Sequence, residues 1–517
     1  MSFVKKHGSF LFVLVISCCL NFINIGAYEL SSDEYITVNI SNGFDVTSAG
    51  QLNNKQLPLH RIIFTSSDFW KNNTIRNVMR CTENDNGNSV FYNLILHGWL
   101  KIVGVSVFNA RILSVIFSFF AIIVFYGMSL NIFENKRIAV FAVGILMIHP
   151  IFLHYAHTAR AYALTILFTL LFIFLFIKTI NTEQRKVSQK IMAFFFLGVL
   201  GGCTLLTHYL SIQLFVFLGI WLLLFFYQKF FDKSFLFSLL LMSSVILVLF
   251  CSWYFGIGKE GRFIMAMQNA RIQESVSPDF RPTLKGLFFG TLAQSAAIFG
   301  NYLGMLGFKI KEVILLSLFP FLLILLTYKK LYFNIRREYF FLITGVIIFN
   351  LLFDIGLAIK SDHNVSFWPR YAIFSVPFAS LLLGYSMYSI GGMAHWKKSV
   401  SLVSVLILFF TMLVSDIAAF TGYLGSYDQD PTLRKKIYAL DFSDFQKEPY
   451  QKVSEEIKSY CQLGDTVVYK SWFSAQNTNL YLEYRADLIQ KVDTGQIEEV
   501  KFGKMVILKV DSPYYKH

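Results

Sequence analysis

The sequence predicts an all-α polytopic membrane protein of about 11 transmembrane helices, followed by a small α/β domain. Three observations predict it. Of 517 residues, 55% are hydrophobic and only 15% charged, where a soluble chain carries roughly 25% charged residues; the mean hydropathy is +0.53. Apolar segments of about 20 residues, the length that crosses a bilayer, recur as far as residue 420. The basic residues then gather on alternate connections between those segments, as the positive-inside rule requires.

The expected spans are 9–28, 107–131, 138–155, 160–178, 191–207, 209–228, 235–256, 312–328, 339–358, 371–391 and 399–420. The connections assigned to the cytoplasm hold sixteen basic residues, among them Lys136-Arg137, Arg185-Lys186, Lys329-Lys330, Arg336-Arg337 and Lys397-Lys398, against four acids, Glu134, Glu183, Asp232 and Glu338. The turns at 156–159 and 207–209 carry neither Lys nor Arg. This asymmetry predicts a cytoplasmic N-terminus and an outer C-terminus. The stretch 284–308 is apolar enough to span but contains Gly286, Gly290, Gly300, Gly304 and Gly307. Were it to span, every later basic cluster would face outward, so it reads as a helix at the outer interface.

The domain division that follows is 1–420, a membrane domain with outer loops 29–106 and 257–311, and 421–517, an outer α/β domain. In the latter, Tyr450–Tyr460 has helical periodicity, while Thr466–Tyr469 and Met505–Leu508 read as strands after the Gly464-Asp465 turn. The net charge of +14 reflects loop asymmetry; no basic, aromatic-interleaved soluble region supports a nucleic-acid partner. Lys5-Lys6-His7 before an apolar run resembles a signal peptide, but without a small-x-small cleavage site it reads as a retained first helix. Cys81 and Cys461 lie in polar regions and can pair only where both face an oxidising compartment.

The candidate chemistry lies on one side. Ser31-Ser32-Asp33-Glu34-Tyr35 follows the first apolar segment directly. Ser31 and Glu34 fit a capping box, which leaves Asp33 available as a base at the membrane surface. Asp85 lies in Asn84-Asp85-Asn86-Gly87-Asn88, a composition typical of turns, just before the aromatic-rich stretch Phe91–Leu100 that contains His97. Arg160 sits in the outer turn Tyr155–Tyr162 beside His157 and Tyr162, and Arg370-Tyr371 opens the tenth segment. A fixed cation at membrane level either snorkels to headgroups or faces a partner. Arginine's fork of donors suits a lipid-borne phosphate. His208-Tyr209 lies at the next outer turn. No carboxylate or cysteine joins the histidines in a ligand spacing, so no metal residue is assigned, although a divalent cation remains an open alternative.

In order along the chain, Asp33-Glu34, Asp85 with Phe91–Trp99, Arg111, Tyr155-x-x-x-Ala159-Arg160-x-Tyr162, His208-Tyr209 and Arg370-Tyr371 with Pro377 resemble integral-membrane glycosyltransferases of the GT-C fold. The closer resemblance is to the branch of protein O-mannosyltransferases, aminoarabinose transferases and rhizobial lipid A galacturonosyltransferases. It implies a hexosyl- or pentosyltransferase that moves a sugar from a polyprenyl-phosphate donor to a hydroxyl of a lipid, glycan or protein, with no cofactor assigned. In that scheme Asp33 is the base, Glu34 or Asp85 orients it or the acceptor, and Arg160 and Arg370, with Tyr162 and Tyr371, hold the phosphate. His97, His157, His208 and Tyr209 line the substrate pocket. The competing readings are a flippase or exporter of lipid-linked saccharide, or a saccharide polymerase. The expected location is a bacterial inner membrane with a periplasmic site.

Overall fold

The computed structural model describes residues 2–23, 25–26, 30, 32–43, 74–182, 186–266, 281–301, 310–362, 367, 369–421, 466–469, 489–492 and 505–507. The helices are α1 (Ser2–Phe22), α2 (Ser32–Ser41), α3 (Ile75–Asn84), α4 (Val90–Val103), α5 (Val107–Phe133), α6 (Lys136–Met147), α7 (Pro150–Ala156), α8 (Tyr162–Asn181), α9 (Val187–Thr207) and α10 (Ile212–Phe225). They continue as α11 (Lys233–Cys251), α12 (Leu284–Ile298), α13 (Ile310–Asn334), α14 (Arg337–Ser361), α15 (Val376–Ser389) and α16 (His395–Thr421).

Among the described residues seven helices are long and apolar enough to cross a membrane, and α6 with α7 makes an eighth if that bent pair is one span. The three other expected segments are helical but shorter. The first is apolar over His7–Phe22 and the sixth over Tyr209–Phe225, and the tenth is α15, 14 residues long. At 1.5 Å per residue, 14 residues rise about 21 Å, short of the ~30 Å hydrocarbon core. The tenth is short because its first turns are a 3₁₀ helix, Pro369–Phe374, which carries Arg370. The segment expected to lie at the interface forms α12, only 15 residues long.

With no water to expel between them, helices in a bilayer associate through close packing of small residues. Gly198, Gly201 and Gly202 of α9 face Val245, Ile246 and Leu249 of α11, where an added Cβ would come within 2.8, 2.7 and 2.6 Å of a side-chain carbon. Gly384 brings α15 against Ala142 of α6 in the same way, 2.5 Å from its Cα. The large side chains left exposed on the long helices, such as Phe196, Leu325 and Leu406, are apolar, as a lipid-facing surface demands.

The break between α6 and α7 shapes the site. His149 precedes Pro150, and a residue before proline is disfavoured in the helical region; His149 is extended, with φ −74 and ψ 122. Pro150 then restarts the helix at its first position, where its missing N–H costs nothing. The two helices bend by 63°, and short α7 delivers the chain into the turn that bears His157 and Arg160.

In the C-terminal region three parallel strands are described: β1 (Thr466–Tyr469), β2 (Ile489–Val492) and β3 (Met505–Ile507), in the order β2-β1-β3. The first and third were expected from their apolar runs; Ile489-Gln490-Lys491-Val492, half polar, was not. The expected helix at Tyr450–Tyr460 and Cys461 lie outside the described residues.

Candidate active site

Asp33 and Glu34 occupy the first turn of α2, where the helix dipole favours carboxylates. Their side chains diverge. Glu34 is buried, 1% exposed. It takes a two-pronged pair from Arg111 of α5, Nε to Oε1 at 2.8 Å and Nη2 to Oε2 at 2.7 Å. The backbone N–H of Ala159 donates to Oε1 at 2.7 Å, and Arg111 Nη1 also donates to the Ile25 carbonyl at 3.1 Å. Glu34 thus joins α2, α5 and the Arg160 turn in one knot. Ser31, its expected capping partner, lies outside the described residues.

Asp33 meets both predicted arginines. Arg160 Nη2 is 3.3 Å from Oδ2, and Arg370 Nη1 is 3.2 Å from the same oxygen. Arg160 Nη1 also donates to the Asp33 carbonyl at 3.2 Å and to Thr37 Oγ1 at 2.7 Å. Thr37 stands one helical turn after Asp33 and was not singled out in the sequence. The Asp33 side chain remains 32% exposed. Burial pushes its carboxyl upward, but the Arg160 and Arg370 guanidiniums outweigh that and hold it below its ordinary value.

The aromatic candidates frame the two cations. The Arg160 guanidinium lies 5.8 Å from the Tyr162 ring and that of Arg370 5.6 Å from Tyr371, within cation–π range. His208 bridges the two segments: its ring is 5.7 Å from Tyr162 and 6.0 Å from Phe374. Burial first, and then the two guanidiniums, push His208 down to about 3. His157 is pushed down to about 4 by burial and then by Arg111. Both are therefore neutral near pH 7.

The other predicted residues occupy supporting places. Asp85 caps the end of α3, within electrostatic reach of Arg160. The turn after it runs through positive φ at Asn86 (79°), Gly87 (75°) and Ser89 (63°), which explains its Asn- and Gly-rich composition. Tyr209 fixes that turn from below: its hydroxyl donates to the Gly87 carbonyl, and its N–H to Asn88 Oδ1 at 3.1 Å. Trp253 Nε1 reaches the same carbonyl at 2.8 Å. His97 Nδ1 bonds the Ser41 carbonyl at 2.8 Å. That carbonyl lies at the opposite end of α2 from Asp33, eight residues or roughly 12 Å away, so this bond ties α4 to the end of α2. Among the described residues no group of three or more His, Cys, Asp or Glu is placed to hold a metal ion.

Comparison with known proteins agrees with this architecture. Residues 88–254 match the family model described as dolichyl-phosphate-mannose-protein mannosyltransferase. A search of curated protein sequences finds no match. The structure is similar to ArnT from Cupriavidus metallidurans bound to undecaprenyl phosphate, with TM-score 0.53 and 12% identity, covering 94% of this chain and 86% of that one. It is also similar to ArnT of the same organism in the apo state, with TM-score 0.51 and 12% identity over 93% and 87% of the two chains. The chain is a multi-pass membrane protein with the GT-C fold, the fold of integral-membrane glycosyltransferases.

Proposed function

We propose that the protein is a membrane glycosyltransferase that moves a sugar from a polyprenyl-phosphate carrier to an acceptor hydroxyl on the outer face of the membrane. The observation that carries this reading is the convergence of Arg160 and Arg370 on Asp33, three charges from three distant segments at one site. ArnT, whose fold it shares, was crystallised with a polyprenyl phosphate, and the family model that matches residues 88–254 is described by a polyprenyl-phosphate sugar donor.

The chemistry follows from the groups present. The acceptor oxygen attacks the anomeric carbon while its proton passes to the Asp33 carboxylate. The bond from that carbon to the phosphate oxygen breaks on the opposite side, so the anomeric centre inverts. The departing polyprenyl phosphate keeps the electron pair, and Arg160 and Arg370 stabilise it. Those two cations rest on Asp33; a donor phosphate competes for them and leaves the carboxylate to the acceptor. Glu34 orients the base by fixing the turn of α2 on which it stands, and Asp85, within electrostatic reach of Arg160, orients the acceptor. We place the N-terminus in the cytoplasm and the site in the periplasm of a bacterial inner membrane, on the asymmetry of Lys and Arg between the connections.

The test is transfer by the purified full-length protein from a radiolabelled undecaprenyl-phosphate sugar or from the corresponding sugar nucleotide. Product from the lipid donor alone is expected. Product from the nucleotide without any lipid phosphate would overturn the assignment.

A further inference from the structure

α14 is an apolar spanning helix, yet it buries Asn350 and Asp354 one turn apart, at 2% and 0% exposure. They lie in a buried polar network that joins four segments. Asn350 Nδ2 donates to Asp354 Oδ2 at 2.8 Å and to Gln213 Oε1 of α10 at 3.2 Å. Gln294 Nε2 of α12 donates to the same Asp354 oxygen at 2.7 Å. Ser375 Oγ donates to Asn350 Oδ1 at 2.7 Å. Such groups are costly at membrane depth and are found where they have a task.

The place of Ser375 suggests the task. It directly follows the 3₁₀ turn Pro369–Phe374 that carries Arg370 and Tyr371. Its N–H closes that turn on the Ala372 carbonyl at 2.9 Å, and its own carbonyl accepts the first bond of α15 from Ala379 at 2.9 Å. The other side of the turn is seated on α12. Phe367 is fully buried against Ala293 and Ala358, and Gly290 lies so close that an added Cβ would come within 2.5 Å of the Phe367 ring. Helix α12, too short to span, therefore grips the Arg370 turn twice: through Phe367, and through Gln294, Asp354, Asn350 and Ser375.

We infer that Asn350, Asp354, Gln294 and Ser375 are positioning residues that fix the Arg370 guanidinium for a lipid phosphate. The inference rests on the phosphate-binding role proposed above for Arg370. A 3₁₀ turn has poorer hydrogen bonds than an α-helix and is short by nature. Without a side-chain anchor, Arg370 would spread over several orientations, and a fork of donors aimed at phosphate depends on its aim. The alternative is that the network serves only to join α10, α12 and α14. That would stabilise the fold without any particular link to Arg370.

The experiment is a titration of the detergent-solubilised full-length protein with undecaprenyl phosphate. Wild type, Ser375→Ala, Asn350→Leu and Gly290→Ala are each measured alone and combined with Arg370→Ala. Ser375→Ala removes a single oxygen and keeps the measurement possible if Asn350→Leu fails to fold. Thr327→Val, which breaks an unrelated buried hydroxyl pair with Ser386, controls for loss of packing. Each variant alone should weaken binding by about threefold to tenfold, the coupling expected of residues in one network, and should add no further loss once Arg370 is alanine. Thr327→Val should bind as wild type. Equal losses in both backgrounds, or no loss with Ser375→Ala while Arg370→Ala itself loses affinity, would overturn the inference and leave the phosphate reading intact. Wild-type affinity in Arg370→Ala would overturn both.

Discussion

Asp33 and Arg370 stand 337 positions apart in the chain, yet a carboxylate oxygen of one lies 3.2 Å from a guanidinium nitrogen of the other. Arg160 approaches the same oxygen at 3.3 Å. With both cations on Oδ2, the partly exposed carboxylate is held ionised and keeps its other oxygen for a second partner. A base needs to be ionised and reachable, and a phosphate site needs two cations that can turn from one anion to another.

Asp33→Asn separates these roles. Loss of a base costs about 100- to 10,000-fold in rate, so transfer should fall by that amount. Affinity for undecaprenyl phosphate should hold or rise, because the amide no longer competes for Arg160 and Arg370. Thermal unfolding should shift little, since the ion pairs are partly exposed and such pairs contribute about 0–1 kcal/mol. Wild-type turnover in this variant would remove Asp33 from the chemistry.

Glu34→Gln should behave differently although it is the next residue. Glu34 and Arg111 are both buried, with side chains 2% and 8% exposed. Removing one partner of such a pair leaves an uncompensated charge and costs about 3–5 kcal/mol. Glu34→Gln should therefore lower the unfolding temperature markedly, whereas Asp33→Asn does not. Arg111→Lys should lower it as well, because an ammonium cannot make the paired bonds of the guanidinium. A stable Glu34→Gln protein with lost turnover would instead place Glu34 in the reaction.

The site was legible where the sequence sets a charge against an apolar background. Asp33, Arg160 and Arg370 each stand beside long uncharged segments, and the cost of a charge there marks them. Partners were not legible, because cost does not say who shares it. Arg111 entered only through a family resemblance, and its bond to Glu34 crosses 77 positions. Thr37 looks like any helical threonine. Asn350 and Asp354 carried a signal, two polar residues four apart in an apolar helix, but nothing in the sequence ties them to Gln294 or Ser375. The bond from His97 to the Ser41 carbonyl was equally hidden, since it crosses 56 positions. The spans were legible from hydropathy, while their true lengths depended on turns at His149-Pro150 and Pro369–Phe374 that hydropathy averages away.

Arg160→Lys and Arg370→Lys test the grip on phosphate. A lysine that only snorkels to headgroups would serve as well as arginine. A clamp would not tolerate it, since Arg160 already spends separate nitrogens on Asp33 and on Thr37 and a single ammonium cannot reproduce that fork. Each change should weaken donor use by about 1–3 kcal/mol, the range of a charge-assisted bond. Donor kcat/KM in detergent is the readout, and unchanged values in both variants would return these arginines to the headgroups.

The response to acid follows from three groups. His157 and His208 sit at about 4 and about 3 in the fold, below the ~6.5 of an unfolded histidine. Between those values the unfolded chain binds more protons than the native one, so stability is full above about pH 6.5 and falls as the pH drops toward 4. Asp33 has the same sign at lower pH: its carboxyl lies below its ordinary value, so its share persists above about pH 3.9 and is lost on further acidification. For activity, kcat/KM for the donor reports the free enzyme. It should show no inflection near pH 6.5, because neither histidine titrates there, and no acidic limb until about pH 4 or below. Unfolding temperature against pH, measured for wild type, His157→Gln and His208→Gln, should show the loss between pH 6.5 and 4 reduced in each variant. A limb in kcat/KM centred near pH 6.5 that disappears in His208→Gln would mean that His208 exchanges a proton during turnover, and the assignment of Asp33 as the base would have to be given up.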